Sequence, residues 1–111
     1  MTRPPRLRAD ILLHDTADGH KWLSFGRLQP WSALRLAWFL RVTEGFKREG
    51  RHVQGAGEWI APDYVRDTLR LEAGGDDTFG TSLIAVDEAG SLYLEALYRA
   101  FAQQQPRTAA H

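Results

Sequence analysis

The chain has 111 residues, no cysteine and a net charge of zero, with 14 basic and 14 acidic side chains. This length suits one domain with its own core, and the missing cysteine excludes disulfides, thiol catalysis and thiolate metal sites. No segment has the length and apolar character of a signal peptide or a membrane span, so we expect a cytoplasmic protein that does not bind membranes.

We expect a single folded domain over residues 7–103, with a disordered segment at each end. Residues 1–6 contain two prolines and two arginines, which offer little to pack, and residues 104–111 form a polar tail around Pro106. No internal repeat or linker divides the domain between these two segments.

A β-hairpin is the first predicted element. Residues 7–15 and 21–28 are expected to pair as strands around an Asp-Gly dipeptide at 18–19, which is a strong signal for a two-residue turn. In that register Asp15 faces Trp22, and both faces of the hairpin are partly apolar. Trp22 then lies near the hairpin tip, where a partner has access to it.

A helix is predicted over residues 31–50, because a proline precedes it and a glycine ends it. Gly45 is its weak point. Trp38 lies on the border between an apolar stripe and a charged face that holds Arg41 and Arg48. The stripe is expected to face the core and consists of Leu36, Phe39, Leu40, Thr43 and Phe46.

Three further strands are predicted, over residues 58–61, 68–73 and 81–87. Strict alternation in the second places Leu69, Leu71 and Ala73 on one face. A helical turn over residues 63–69 is the alternative, because the Pro-Asp pair at 62–63 is also able to start a helix. The polar, glycine-bearing segments that precede the first and the third of these strands, 51–57 and 74–80, are predicted to be loops.

A final helix is expected to begin at the N-cap Ser91 and to run to about residue 103. Its apolar stripe is predicted to pack on the sheet and consists of Tyr93, Leu94, Leu97, Tyr98 and Phe101. The predicted order ββαβββα indicates an α+β domain. We expect two helices packed on a mostly antiparallel sheet of four to five strands.

Two segments hold side chains that a metal or phosphate site would use. In the predicted hairpin the imidazoles of His14 and His20 point to opposite faces, whereas metal ligands must converge on one ion. Residues 73–80 are rich in glycine but hold Asp76 and Asp77 and no cation, which disfavours anion binding. We therefore expect neither a metal nor a cofactor.

No arrangement of a nucleophile beside a base is evident. None of the serines at positions 24, 32, 82 and 91 lies in a strand-turn-helix elbow, and His52 lies in a glycine-bearing loop that would not hold a base rigidly. These observations favour a protein that is not an enzyme.

The two halves of the chain carry opposite charge. Residues 1–55 hold ten Lys and Arg against five Asp and Glu, a balance of +5, and residues 56–111 hold four against nine, a balance of −5. Either the halves neutralise each other on folding, which we favour, or one of them faces a charged partner. The best basic cluster, and the alternative nucleic-acid site, consists of Arg41, Lys47, Arg48 and Arg51. Its interruption by acidic residues and the neutral chain make nucleic acid the minority hypothesis.

Four tryptophans, at positions 22, 31, 38 and 59, are many for a chain of this length. Since Trp and Arg are enriched in interface cores, the leading hypothesis is a non-enzymatic protein-binding module, such as an inhibitor, immunity factor or accessory subunit. Self-association as a symmetric homodimer is its simplest form. A small ligand-binding or enzymatic domain with a pocket between sheet and helix is the remaining alternative. The predicted contact residues are Trp22, Trp38, Trp59 and Phe79, with Arg41, Arg48 and Asp77 as rim charges.

Overall fold

An antiparallel sheet with two helices on one face forms the described part of the chain. The computed structural model describes residues 3–104. The strands are β1 (Leu12–Asp15), β2 (Lys21–Ser24), β3 (Lys47–Glu49), β4 (Val53–Gln54), β5 (Glu58–Arg66), β6 (Leu69–Asp76) and β7 (Gly80–Ala85). The helices are α1 (Pro30–Trp38), which continues as a π-helical turn over Phe39–Thr43, and α2 (Glu88–Gln104).

The strand order is β1-β2-β7-β6-β5-β3, and β4 also pairs with β5. All pairs of named strands within residues 3–104 are antiparallel. The predicted α+β class is therefore confirmed, but the sheet has seven strands rather than four to five, so the element order is ββαβββββα rather than ββαβββα. The difference arises at β3 and β4, which occupy residues predicted to be the end of a helix and a loop. Apart from Gln104, the predicted tail over residues 104–111 lies outside the described residues.

The N-terminal hairpin forms, but its predicted register is wrong by one residue. Asp15 pairs with Lys21, and His14 pairs with Trp22. The loop between the strands has five residues because Thr16 closes it: its hydroxyl accepts the N–H of His20 at 3.0 Å, and its own N–H donates to the carbonyl of His20. The shift places the side chains of His14 and Trp22 on the same face of the hairpin, the one away from the core.

The predicted helix over residues 31–50 is wrong beyond the π-helical turn. Gly45 adopts φ +78°, a left-handed conformation that turns the chain out of the helix and into β3. The apolar pattern of the sequence nevertheless extends to Phe46, whose N–H closes the end of the helix by donating to the carbonyl of Leu40, six residues earlier, at 2.9 Å. Four members of the predicted stripe, Leu36, Phe39, Leu40 and Phe46, are buried, whereas Thr43 is exposed.

The alternative of a helical turn over residues 63–69 is also wrong. β5 passes through Pro62 by a register shift between Ala61 and Tyr64 and stays extended to Arg66. The predicted loop over residues 74–80 is reduced to a turn over residues 77–79, because β6 continues to Asp76 and β7 begins at Gly80. Its glycines mark close approach of neighbouring strands, because a Cβ on Gly74 would overlap the carbonyl oxygen of Trp59.

α2 begins at Glu88, three residues before the predicted cap. Asp87 caps it, accepting the N–H of Gly90 at 2.8 Å. Ser91 instead lies buried in the first turn, where its hydroxyl accepts the N–H of Lys21 at 3.0 Å. The predicted stripe is confirmed: Tyr93, Leu94, Leu97 and Phe101 are buried and Tyr98 packs against them.

The core lies between the helices and one face of the sheet. Its strand residues alternate along each strand, so that they share one face; they include Leu23, Tyr64, Leu71, Leu83 and Ala85. The helical residues Leu36, Leu40, Leu94 and Leu97 belong to the same cluster. The opposite face of the sheet carries neither helix.

Candidate binding surfaces

α1 and its π-helical continuation are apolar on two sides. The inner side is buried, but Trp31, Leu34, Trp38 and Val42 are between 58% and 67% exposed. Their spacing of three, four and four residues places them along one side of the helix. We call these four residues the helical ridge. It holds four of the ten large apolar side chains that are exposed in residues 3–104.

Basic side chains flank the helical ridge on both sides. A groove of about 670 Å³ runs along one side and a groove of about 740 Å³ along the other. The first is lined by Arg3, Arg6 and Arg35, and the second by Arg41, Lys47 and Arg48. No carboxylate from the described residues lines either groove. The ridge is therefore an apolar, aromatic strip in positive surroundings.

Arg48, one of the predicted contact residues, is half-buried and its guanidinium is bound by neighbouring residues of the fold. Its guanidinium donates twice to the carbonyl of Pro62, at 3.1 and 2.8 Å, and once to the hydroxyl of Tyr64 at 3.0 Å. It also lies 4.0 Å from the centre of the Tyr64 ring. Arg41 and Lys47 are exposed and remain available to a partner.

The uncovered face of the sheet carries an aromatic cluster. His14 stacks on Trp22 with ring centroids 3.9 Å apart, and Phe79 meets both rings edge-on at 5.6 and 5.1 Å. The strand pairing places Ile60 on the same face of the sheet, where its side chain is 59% exposed. We call the surface formed by His14, Trp22, Ile60, Glu72, Phe79 and Ile84 the open face.

Carboxylates surround the open face. Its groove has a volume of about 620 Å³ and no lysine or arginine from residues 3–104 in its lining. Asp15 is paired with Lys21, and Asp63 with Arg70 at 2.6 Å. Glu58 and Glu72 form no ion pair with any described residue. The carboxylates in the lining are Asp15, Glu58, Asp63, Glu72 and Asp76.

The open face also holds a serine beside a histidine, which the sequence analysis missed. His14 Nε2 lies 2.8 Å from Ser24 Oγ. Ser24 is only 2% exposed, and its strand lies between β1 and β7, so its neighbouring amides serve the sheet rather than an oxyanion. The pair is therefore explained as a buried hydroxyl with a hydrogen-bond partner. A five-residue loop closed by Thr16 would have predicted this pair, because it sets the register that places His14 and Ser24 on the same face.

The seven predicted contact residues do not form one surface. Trp22 and Phe79 lie on the open face, with Asp77 in the turn beside Phe79, whereas Trp38 and Arg41 lie at the helical ridge. Trp59 is half-buried with its indole against Gly75, on the sheet face that α1 covers. Of the three predicted contact tryptophans, Trp38 is 67% exposed, whereas Trp22 and Trp59 are half-buried.

Sequence analysis missed three of the four ridge residues: Trp31, Leu34 and Val42. Their spacing from Trp38 was visible in the sequence. However, one apolar stripe is enough to pack a helix on a sheet, and the inner stripe already fulfilled that role in the prediction. The second stripe was therefore not assigned.

A polar cluster fastens the end of the π-helical turn to α2. The hydroxyl of Tyr93 donates to the carboxylate of Glu44 at 2.7 Å, and Arg66 donates to the Glu44 carbonyl at 2.6 Å. Burial raises the pKa of Tyr93 strongly, and the hydrogen bond to Glu44 raises it further. The Arg66 guanidinium lies over the Phe46 ring at 4.7 Å. This cluster holds the C-terminal end of the helical ridge in place.

Within residues 3–104, no three His, Asp or Glu side chains are grouped as metal ligands. Neither helix in this range combines the length and apolar character of a membrane-spanning segment. Comparison of the chain with protein-family models, curated proteins and solved structures gave no match.

Proposed function

We propose that this protein is a non-enzymatic binding module that docks on another protein through the helical ridge. The supporting observation is the exposure of two tryptophans, a leucine and a valine on one side of a helix. An aromatic side chain has a surface of about 150–250 Å², and the two ridge tryptophans are each exposed by about two thirds. Together with Leu34 and Val42 they present roughly 400 Å² of apolar surface. A patch of that size on a monomer commonly marks a binding site.

The ridge has the form of a helix that docks in a groove. Such helices insert apolar anchors spaced by three and four residues into an apolar channel of the partner. Trp and Arg dominate the binding energy of interfaces, and here Trp38 lies between Arg35 and Arg41. The partner that this surface fits has an apolar groove with carboxylates on its rim.

A cytoplasmic inhibitor, immunity factor or accessory subunit would use a surface of this kind. Each of these acts by occupying a partner rather than by chemistry, and within residues 3–104 no histidine or carboxylate lines the grooves beside the ridge as a base. The cytoplasm is part of the proposal because a chain without cysteine needs no oxidising compartment.

Site-specific photocrosslinking in cells that naturally encode the chain tests this proposal. A photoreactive phenylalanine analogue replaces Leu34 in one sample and Leu92 in the other, since the two leucines are similarly exposed at 61% and 56%. We expect a discrete adduct from position 34 and none from position 92. The same position-34 chain carrying Trp31→Ala and Trp38→Ala should lose the adduct. Equal adducts from both positions, or an adduct that survives the double substitution, would contradict the proposal.

Nucleic acid is the second candidate, because exposed indoles beside exposed arginines are also able to stack on unpaired bases. The engagement of Arg48 by Pro62 and Tyr64 removes one cation of the predicted nucleic-acid cluster. We expect binding of a single-stranded oligonucleotide to be no tighter than about micromolar at 0.15 M salt. Tight binding there, lost in the Arg35→Ala/Arg41→Ala variant, would make nucleic acid the leading candidate.

A further inference from the structure

We propose that a second copy of this chain is a partner of the helical ridge, and that the open face of that copy receives it. This inference rests on the proposed function, since it names a partner for the same ridge. Copies joined in this way are arranged head to tail.

The two surfaces match in chemistry. The helical ridge is apolar and aromatic with cations along both sides, and the open face is apolar and aromatic with carboxylates around it. Among residues 3–104, no carboxylate lines the two grooves beside the ridge, and no lysine or arginine lines the groove of the open face. Docking would therefore place Trp31 and Trp38 over Ile60 and Phe79, with Arg35 and Arg41 facing unpaired carboxylates such as Glu72.

The same contact accounts for the charge asymmetry of the sequence. The ridge and its basic flank come from residues 3–48, whereas most carboxylates of the open face come from residues 58–76. Inside one molecule these charges do not neutralise each other, because the core and the sheet separate them. Glu58 and Glu72 accordingly lack an ion pair with any described residue. A second copy supplies the missing cations.

The position of the two surfaces dictates the symmetry of the assembly. The helical ridge points away from the sheet, and the open face lies on the far side of that sheet. One molecule is thus unable to dock its ridge on its own open face. A contact between two different surfaces is heterologous, so it continues from copy to copy unless the rotation closes a ring. This differs from the symmetric homodimer expected from the sequence.

Sedimentation analysis of the full chain from micromolar to millimolar concentration tests the inference. We expect the wild type to grow in mass with concentration, and the growth to weaken as salt screens the charges. Two variants each remove one side: Trp31→Ala/Trp38→Ala on the ridge and Ile60→Lys/Glu72→Lys on the open face. Truncation of interface anchors should weaken association by about 30-fold or more, so each variant alone should stay monomeric.

Mixing the two variants provides the decisive result. Each retains the surface that the other has lost, so the mixture should form a one-to-one heterodimer and nothing larger. A two-fold dimer through the ridge would instead leave the open-face variant dimeric and the mixture without a new species, which would overturn the inference. A charge exchange, Arg35→Glu/Arg41→Glu in one chain and Glu58→Lys/Glu72→Lys in the other, should leave each chain monomeric alone, because its ridge and its open face then carry the same sign. Their mixture should again grow in mass with concentration, since the ridge of each chain then meets the opposite charge on the open face of the other.

Failure of this inference is distinguishable from failure of the proposed function. A wild type that stays monomeric throughout the concentration range overturns self-docking, and a position-34 adduct with a different protein then still supports the ridge as a docking site. Binding of the monomer to anionic vesicles, lost in the ridge variant, would assign the ridge to a lipid surface and overturn both.

Discussion

The two helices lie on the same face of the sheet but differ in how completely the fold uses them. α2 buries one apolar stripe, and Leu92 is the only large apolar side chain of residues 88–104 that remains exposed. α1 buries a stripe of the same kind and presents a second one, the helical ridge, to solvent. A surface helix needs only one apolar side to join a core. Packing within one molecule therefore does not account for the second apolar side of α1, and the proposed docking is based on this difference.

Matched leucine substitutions in the two helices should give the largest contrast. Leu97 is fully buried in α2, and Leu34 is 61% exposed on the ridge. We expect Leu97→Ala to lower the free energy of unfolding by about 2–5 kcal/mol and Leu34→Ala to change it by less than about 0.5 kcal/mol. Chemical denaturation of both variants measures this. Similar losses at the two positions would show that the ridge belongs to the core.

Removal of one hydroxyl should test the link between the two helices. Tyr93→Phe leaves the carboxylate of Glu44 without a hydrogen bond that it receives in the wild type, so we expect a loss of about 1–3 kcal/mol in the free energy of unfolding. An unchanged free energy of unfolding would mean that the cluster does not fasten the π-helical turn.

The same substitution should alter the pH dependence of stability. The pKa of Tyr93 is higher in the folded chain than in the unfolded chain, where it titrates near about 10. Above that pH the unfolded chain binds fewer protons than the folded one, so stability falls as the pH rises. Burial also raises the pKa of Tyr64, which adds to the decline. Denaturation curves at alkaline pH should show a shallower decline in Tyr93→Phe than in the wild type.

The ridge tryptophans should contribute least to stability and most to solvent-accessible fluorescence. Trp31→Phe/Trp38→Phe is expected to keep the free energy of unfolding within about 0.5 kcal/mol of the wild type while removing most of the emission that acrylamide quenches in a dilute sample. Trp22→Phe, a substitution within the aromatic cluster, is the control and should leave that emission largely in place. Equal loss from both variants would remove the distinction between ridge and open face.

Some elements of this fold could be predicted because a single pattern in a short segment determines their structure. The stripe of α2 has a single interpretation, so its core residues were identified. The N-terminal hairpin has a strong turn dipeptide, yet the Thr16 side chain sets a longer loop and a different register. Likewise, helical periodicity continued to Phe46 although the left-handed Gly45 had already ended the helix. In both cases one short-range feature overrode a longer pattern.

The candidate surfaces were harder to predict than the core. Trp38 and Arg41 were identified from residue type and position, but their neighbours on the ridge depend on which side of α1 the sheet occupies. The pairing of β2 with β7 brings Trp22 beside Phe79, 57 positions apart in the chain. No single segment contains the information about such a contact.

The strand order has a consequence for how the protein is made. β2 lies between β1 and β7, and the backbone N–H of Lys21 donates to the hydroxyl of Ser91. The N-terminal hairpin therefore lacks the residues it packs against until the last third of the chain has left the ribosome. At roughly 5–20 residues per second that interval lasts several seconds. During this time α1 has emerged with both of its apolar sides uncovered. The nascent chain therefore passes through a stage in which the inner stripe of α1, which the finished fold buries, is exposed together with the helical ridge.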